Sequence, residues 1–271
     1  MISSGISTNL DLADVIANAD NINLKGIIQE IWGGVLDLVN QDYTIAGVKF
    51  LTTISKINAS SKSVYLPKAI GTLQNIEALS FGFCNIMELC DEISQLQHLR
   101  RIFFMGCKFD GFPTQITSCK NLEDLALFGN SGINTIPAEI QNLTNLQNLD
   151  LSSVREIPDY IGNLKNLTRL NITSSKLTEI PDFVRNFPKL SNLDVSGNYI
   201  TDLPDYLKEM TTLRVLDLGI NHLDRIPKIL YEMPFLKSIS IFQNYGIVQN
   251  SAYREFVKYC QDAKISLRPV R

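Results

Sequence analysis

Apolar residues recur along most of the chain in a fixed order of short spacings, each followed by a polar turn. The stretch that starts at Leu190 has the order Leu-x-x-Leu-x-Val-x-x-Asn-x-Ile and then Leu203-Pro204, and the stretch that starts at Leu213 repeats it. Equivalent starts lie at Ile76, Leu99, Leu122, Leu146, Leu167 and Leu236. Successive starts are 23 residues apart, except for one spacing of 24 and one of 21. Self-similarity at a period of about 20 to 50 residues predicts a solenoid of stacked repeats.

The order of residues within each repeat predicts a strand, a turn and a helical segment. Apolar residues at the first, fourth and sixth positions predict a short strand whose third, fifth and seventh side chains are exposed. The ninth position carries asparagine in several repeats and is predicted to bond backbone groups where the strand turns away. It is occupied by Cys84, Cys107, Asn130, Ser175, Asn198, Asn221 and Asn244. The prolines that follow the turn are expected to open a helical or 3₁₀ segment.

This pattern, LxxLxLxxNxLxxLPxxIxxLxxL, resembles the leucine-rich-repeat family in the form found in plant intracellular and bacterial proteins. The resemblance covers roughly two thirds of the chain. It implies an α/β solenoid, a right-handed superhelix or horseshoe with a parallel β-sheet on the concave face and short helical or 3₁₀ turns on the convex face. The resemblance specifies the fold far more narrowly than the function, because one fold serves many partners.

The ends of the repeat array divide the chain into three predicted segments. Residues 1–60 are expected to form a helical N-terminal cap, in which apolar residues from Ile27 to Val39 follow a helical spacing and the apolar, β-branched residues 43–57 form an entry strand. Residues 61–250 form the solenoid, with one degenerate and eight regular repeats, and residues 251–271 form a capping helix and a strand. An independent functional domain in residues 1–60 is the alternative.

Charge and cysteine usage narrow the class of protein. A net charge of −3, a pI of about 5.5 and the absence of a Lys/Arg run argue against nucleic acid as a partner. No apolar stretch is long enough for a membrane span, and the first residues do not resemble a secretory signal. Five cysteines without CxxC spacing favour reduced thiols. We therefore expect a cytoplasmic protein, with secretion by a non-standard route or after trimming of a signal as the alternative.

One candidate binding region lies in the second and third regular repeats. Their exposed strand positions carry Phe103, Met105 and Phe128, flanked by Arg101 and Asp124. Exposed aromatic and methionine side chains with a charged rim are typical of protein-interface hot spots. The alternative is that a cap loop or a second copy of the chain covers them.

A second candidate region lies in the later repeats. Asp150, Asp194 and Asp217 occupy the same fifth position, close to Arg169 and Asn171. Because adjacent strands are about 4.8 Å apart, these carboxylates are predicted to form an acidic stripe that attracts a basic partner segment. A solvated polar face is the alternative interpretation.

The sequence favours a non-enzymatic module that binds a protein partner through the concave face. The two histidines, His98 and His222, are five repeats apart, and we recognise no Cys–His or Ser–His–Asp set, phosphate loop or metal-ligand cluster. We therefore expect no catalytic residue, no cofactor and no metal. The alternative function is the substrate-recognition or scaffold portion of a larger effector or signalling protein. The sequence does not identify the partner or the oligomeric state.

Overall fold

The repeating element of the fold is a short parallel strand followed by a turn and a 3₁₀ helix. A computed structural model describes residues 56–60, 63–66, 70–71, 75–233, 235–247 and 251–270. The chain divides into two compact units, the first ending at Asn145 and the second beginning at Leu146. The strand–turn–3₁₀ element recurs in each of them. This confirms the leucine-rich-repeat solenoid fold. The helical segments predicted within the first 55 residues lie outside the described residues.

The first unit contains one main parallel sheet and a small second sheet. Its strands are β1 (Lys56–Ser60), β2 (Ser63–Tyr65), β3 (Ala78–Gly82), β4 (Asn85–Glu88), β5 (Arg101–Met105) and β6 (Asp124–Ala126). β1, β3, β5 and β6 pair in parallel in that order, and β2 pairs with β4. β1 overlaps the end of the entry strand predicted over residues 43–57 and extends three residues beyond it, and it pairs residue by residue with β3 of the first regular repeat.

The second unit is a single run of parallel strands ended by a helix and a last strand. Its elements are β7 (Asn148–Asp150), β8 (Arg169–Asn171), β9 (Asn192–Asp194), β10 (Val215–Asp217), β11 (Ser238–Ser240), α1 (Ser251–Asp262) and β12 (Ser266–Arg268). Each strand pairs in parallel with the next. Asn192 pairs with Val215, and both are third in their repeats, so the sheet register reproduces the register of the sequence repeat.

The segments after the turns are 3₁₀ helices rather than α-helices. They span Asp91–Gln95, Thr114–Ser118, Ala138–Asn142, Asp159–Asn163, Asp182–Asn186, Asp205–Glu209 and Lys228–Glu232. A proline stands directly before most of them, and its carbonyl accepts the first hydrogen bond, as Pro204 does from Leu207. Cys90 takes the place of proline in the first regular repeat with φ −80°, close to the angle that a proline ring imposes. The residue type can therefore change there without changing the backbone.

Asparagines at the ninth position connect each repeat to the one before it. The Asn198 side-chain oxygen accepts the backbone N–H groups of Ser175 and Leu177, and its amide nitrogen donates to the carbonyls of Ile172 and Val195. Asn221 and Asn244 make equivalent bonds in the following repeats, and Asn130 makes them in the first unit. This confirms the predicted asparagine ladder. Its buried amides are tolerated because every polar atom has a backbone partner.

The C-terminal helix packs on the end of the second unit. Tyr253, Phe256 and Cys260 are its buried residues, at the helical spacing expected from the sequence. β12 follows it and pairs with β11, so β12 covers the edge that β11 would otherwise expose. Within the described ranges, every helix is too short or too polar to cross a membrane.

The eighth position of each repeat has a left-handed backbone conformation. It is occupied by Phe83, Gly106, Gly129, Ser153, Ser174, Gly197, Ile220 and Gln243, all with positive φ. Glycine adopts this conformation at little cost, whereas a β-branched side chain is strained there. Ile220, with φ 54° and 52% of its surface exposed, therefore has an unfavourable conformation that burial only partly offsets.

Replacing Ile220 by glycine should stabilise the fold. We expect Ile220→Gly to raise the free energy of unfolding by about 1 kcal/mol, the lower end of the cost of a strained backbone residue. The measurement is chemical denaturation of the two proteins in parallel. Gly197→Ala is the matched control, because it places a Cβ on a residue of the same column with φ 69° and 2.9 Å from the Ser174 Oγ, and it should destabilise. Equal losses of stability in both variants would contradict the strain argument.

Candidate protein-binding surface

The first unit exposes a group of apolar side chains at the C-terminal ends of three neighbouring strands. We call Phe83, Phe103, Met105 and Phe128 the apolar patch. Met105 is 51% exposed and Phe128 47% exposed, whereas Phe103 is half-buried. The predicted flanking residues Arg101 and Asp124 are also half-buried, and Arg101 forms an ion pair with Glu77 at 3.7 Å. The structure thus groups the predicted residues of this region on one face of one sheet.

Phe83 belongs to the apolar patch but was missed by the sequence analysis. It follows β3, at the eighth position, and is 69% exposed. Its N–H donates to the Met105 carbonyl at 2.7 Å, and its ring lies so close to Gly106 that a Cβ on that glycine would come within 2.7 Å of it. The signal in the sequence is that Phe83 stands at the eighth position of its repeat, where most other repeats have glycine or serine. The strand alternation alone gave no reason to examine that column.

A phenylalanine core lies directly beneath the apolar patch. Phe81 and Phe104 stack with ring centroids 5.2 Å apart, and Phe109 packs edge-on against Phe104 at 5.0 Å. All three are buried. Because the inward residues of β5 alternate with outward ones, Phe103 and Met105 project from a rigid aromatic layer. The apolar patch therefore lies on a closely packed aromatic core.

The second unit carries the acidic row, which we define as Asp150, Asp194 and Asp217. Each of these residues ends a strand, and its Oδ1 accepts the backbone N–H of the residue two positions later, at 2.8 to 3.0 Å. Asn171 makes the same bond to Thr173, and its amide also donates to Asp150. The carboxylates therefore have a structural role that the sequence analysis did not recognise. One oxygen of each stabilises the turn after its strand.

The environment of Asp194 favours its neutral form. Burial raises the pKa of the Asp194 carboxyl, and the negative charges of Asp217 and Asp150 raise it further, against the hydrogen bonds that Ser196 donates. Asp194 pairs with Asp217 in the sheet register, so the two carboxylates are on adjacent strands. Arg169 is exposed on the same face of β8. The acidic row therefore contains repulsion that a bound cation would relieve.

The cysteines and histidines are placed as structural or surface residues. All five cysteines are buried, and none of them forms a disulfide bond. Cys107 donates to the Phe81 carbonyl of the preceding repeat, as the asparagines of the same column do. His98 is exposed in the first unit, and His222 packs against the Tyr199 ring at 5.1 Å in the second. Among the described residues, no three His, Cys, Asp or Glu side chains are grouped closely enough to hold a metal ion.

A groove of about 790 Å³ lies beside the shortened repeat of the second unit. That repeat is two residues shorter than the usual period, and the groove lies between its turn and those of the next two repeats. Arg155 and Lys176 line it together with Asp159, Glu179 and Asp202. Charges of both signs alternate along an open surface, an arrangement typical of solvated turns.

Burial should keep the thiols unreactive in the folded protein. Burial raises the pKa of Cys90 to about 11, of Cys119 to about 12 and of Cys260 to about 11. Because the thiolate is the reactive form, we expect a thiol reagent at about pH 8 to label the native protein slowly and the denatured protein completely. Mass spectrometry of the labelled protein is the measurement. Rapid labelling of any one cysteine before unfolding would contradict this expectation.

Removing the charge of Asp194 should stabilise the protein at neutral pH. A raised carboxyl pKa means that the charged form is disfavoured in the folded state, so its penalty is present above the folded pKa and disappears as pH falls through it. Asp194→Asn should therefore raise the melting temperature at about pH 7, and the advantage should vanish below the ordinary value of 3.8. Asp194→Ala, which lacks an acceptor for the Ser196 N–H, should be less stable than the asparagine variant. A lower melting temperature for Asp194→Asn at neutral pH would refute the repulsion.

Comparison with known proteins gives a likeness in fold alone. No known family profile and no curated protein matches the chain. A chain of the PEPR1–AtPEP1 complex is 21% identical over 78% of this chain and 31% of that chain, with a TM-score of 0.57. A chain of the TLR13–ssRNA13 complex is 23% identical over 72% and 30%, with a TM-score of 0.59. The octameric complex of Latrophilin 3, Unc5D and FLRT2 gives 16% identity over 81% and 76%, with a TM-score of 0.61.

This chain spans about a third of the length of the PEPR1 and TLR13 complex chains that it matches. The shared part consists of leucine-rich repeats, and the repeat register, the parallel strands and the 3₁₀ turns all agree with it. The chain thus has the leucine-rich-repeat fold, a fold that solved structures show in complexes with other molecules.

Proposed function

We propose that this chain is a non-enzymatic recognition module that binds a protein partner through the exposed face of its sheet. The apolar patch carries the proposal. Phe83, Met105 and Phe128 follow or end three neighbouring strands, and each leaves about half or more of its surface in water. Large apolar side chains grouped on an exposed face are costly to solvate, and aromatic and methionine residues are enriched in interface cores.

Proteins of similar fold support a protein or peptide as partner. PEPR1 is solved with AtPEP1, and the plant peptide hormone receptor RGFR1 is solved with RGF2. TLR13 is solved with ssRNA13, so the same fold also accommodates RNA. The net charge of −3 and the acidic row favour a protein over a phosphate backbone for this chain. The acidic row also favours a partner with a basic segment.

A second candidate function is the recognition or scaffold part of a larger protein. The observation that favours it is the length of the matched receptors, of which this chain spans about a third. In such a larger protein, the apolar patch binds the protein partner, and a separate effector domain acts on the bound partner. For the compartment, we propose the cytoplasm, because five cysteines without a disulfide bond suit a reducing environment.

The apolar patch should contribute most of the binding energy without contributing much to stability. We expect Phe103→Ala together with Phe128→Ala to weaken capture of the partner at least about 30-fold, since two hot-spot residues contribute about 1 kcal/mol or more each. The melting temperature should stay near that of the unchanged chain, because Phe128 is exposed and Phe103 is only half-buried. The measurement is a pull-down with quantitative mass spectrometry, followed by affinity determination for the captured protein.

Phe235→Ala is the matched control, because Phe235 is a phenylalanine that is 45% exposed and belongs to the second unit rather than to the patch. A photoreactive residue at position 105 should cross-link the same partner, and one at position 235 should not. Unchanged capture by the double variant, or equal cross-linking from both positions, would refute the patch as the binding site. Capture of RNA in place of protein would refute the proposed partner class.

A further inference from the structure

Three consecutive repeats of the second unit expose an aromatic side chain at the tenth position. We call these residues, Tyr199, His222 and Tyr245, the aromatic row. Tyr199 is 46% exposed and Tyr245 is 75% exposed, and His222 is exposed as well. The acidic row occupies the fifth position of its repeats, so the two rows are separate features of the second unit. Exposed rings that recur at one position of a solenoid form a continuous surface, of the kind that marks a binding site.

The backbone holds the aromatic row at the spacing of the sheet. The N–H groups of Tyr199 and His222 each donate to a carbonyl of the preceding repeat, at 2.7 and 2.9 Å. Gly246 follows Tyr245, and a Cβ on this glycine would come within 2.7 Å of the Leu223 carbonyl oxygen of the preceding repeat. Successive members of the row are therefore attached to the backbone about 4.8 Å apart. The ring centroids of Tyr199 and His222 are 5.1 Å apart, in agreement with this spacing.

This spacing matches the period of a polyproline II helix. Tyr199 and Tyr245 are two repeats apart, so their points of attachment are separated by about 9.6 Å at the strand spacing of the sheet. A polyproline II helix has three residues per turn, and its residues i and i+3 lie on the same side about 9.3 Å apart. Two prolines of one such helix can therefore pack on Tyr199 and Tyr245 at the same time.

The hydrogen-bonding groups of the row also suit a polyproline II helix. This helix has no internal hydrogen bonds, so its carbonyl groups are free to accept bonds from a partner. The hydroxyls of Tyr199 and Tyr245 bond no other described residue, and each can donate while the ring face packs against a proline. Because proline residues fix the helix before it binds, docking costs little conformational entropy.

A positive charge lies at the end of the row that begins with Tyr199. Lys176 occupies the tenth position of the repeat before it and is exposed. Lys176 is in no ion pair with another described residue. The carboxylates of the neighbouring turns, Asp202 and Asp224, pair instead with Arg225, at 2.6 and 3.1 Å. A carboxylate next to the prolines of a bound segment would therefore complement Lys176.

We propose that the aromatic row binds a proline-rich segment of the protein partner in the polyproline II conformation. One proline packs on the rings of Tyr199 and His222, and the proline three residues away packs on Tyr245. A glutamate or aspartate beside the first proline pairs with Lys176. This proposal rests on the proposed function, because the segment belongs to the bound protein, and it is a different segment from the basic one that the acidic row favours.

The test is a titration of the whole chain with blocked peptides, followed by the ¹H–¹⁵N NMR signals of the aromatic row. The probe is acetyl-Glu-Pro-Pro-Pro-Pro-Pro-Pro-Glu-amide, with glutamate at both ends so that either chain direction places a carboxylate at Lys176. It should shift the signals of all three residues with a Kd in the millimolar range. A counterpart with alanine in place of proline should bind at least about fivefold more weakly, because it lacks the rings and the fixed helix. A counterpart with lysine in place of glutamate should bind about threefold more weakly.

Four variants locate the binding site without disturbing the fold. Tyr245→Ala should weaken binding of the probe about tenfold, while the melting temperature stays near that of the unchanged chain, because the side chain is 75% exposed. Tyr199→Ala should weaken binding to a similar extent. Lys176→Gln should remove the preference for glutamate over lysine at the ends of the peptide. Phe235→Ala is the matched control, since it removes an exposed ring of the same unit outside the row, and it should bind as the unchanged chain does.

Three results would overturn this proposal. They are equal binding of the alanine peptide, unchanged affinity in both tyrosine variants, and tighter binding of the lysine-ended peptide than of the glutamate-ended one. The titration uses no partner protein, so a failure here overturns the proline-binding row and leaves the apolar patch of the first unit to its own test. Loss of partner capture in the Phe103/Phe128 variant with peptide binding intact would support both proposals.

Discussion

The side chain at the ninth position, an asparagine in half of the regular repeats, makes the interaction that links successive repeats of the stack. At this point the chain turns out of the sheet. Some backbone bonds between repeats continue, such as that from the Gly197 N–H to the Gly219 carbonyl, but other amide and carbonyl groups need a side-chain partner. The Asn198 side chain satisfies groups of its own repeat and of the preceding one. Where the column has cysteine or serine, one bond to the preceding repeat remains, as with Cys107 and Ser175. In the regular repeats, Asn198, Asn221 and Asn244 each donate to the carbonyl 26 residues earlier, so the link recurs with the repeat.

Short polar side chains that stabilise turns also determine the charge of the outer face. The aspartates that end β7, β9 and β10 each use one oxygen to hold the following turn. Their charge is then left in a closely spaced row, and Asp194 shows the consequence in a raised pKa. A residue type that stabilises the turn thus leaves a row of negative charge on the outer face. This charge is not needed for the turn, since Asn171 accepts the same backbone bond from Thr173.

The apolar patch also depends on residues that stabilise the fold, in this case the phenylalanine core beneath it. In the first unit, phenylalanines replace leucines at the inward sixth position, and Phe81 and Phe104 stack there. Outward residues of the same strands, Phe103 and Met105, are carried on this layer. Phe83 joins them from a strained backbone position with most of its ring in water. A costly conformation and a costly exposure thus coincide at Phe83, which supports the proposal that the apolar patch is a binding surface.

The sequence alone determined the repeat register, the strand alternation and the asparagine ladder, because each depends on spacings along the chain that stacking reproduces residue by residue. It also located most of the apolar patch and the acidic row, since parallel strands in register place equal positions side by side. Only the tertiary structure showed that the aspartates cap turns, that Phe83 lies against Gly106, and that the buried Ser240 hydroxyl has no hydrogen-bond partner among the described residues. These facts depend on backbone dihedral angles and on distances between strands, which side-chain periodicity does not encode.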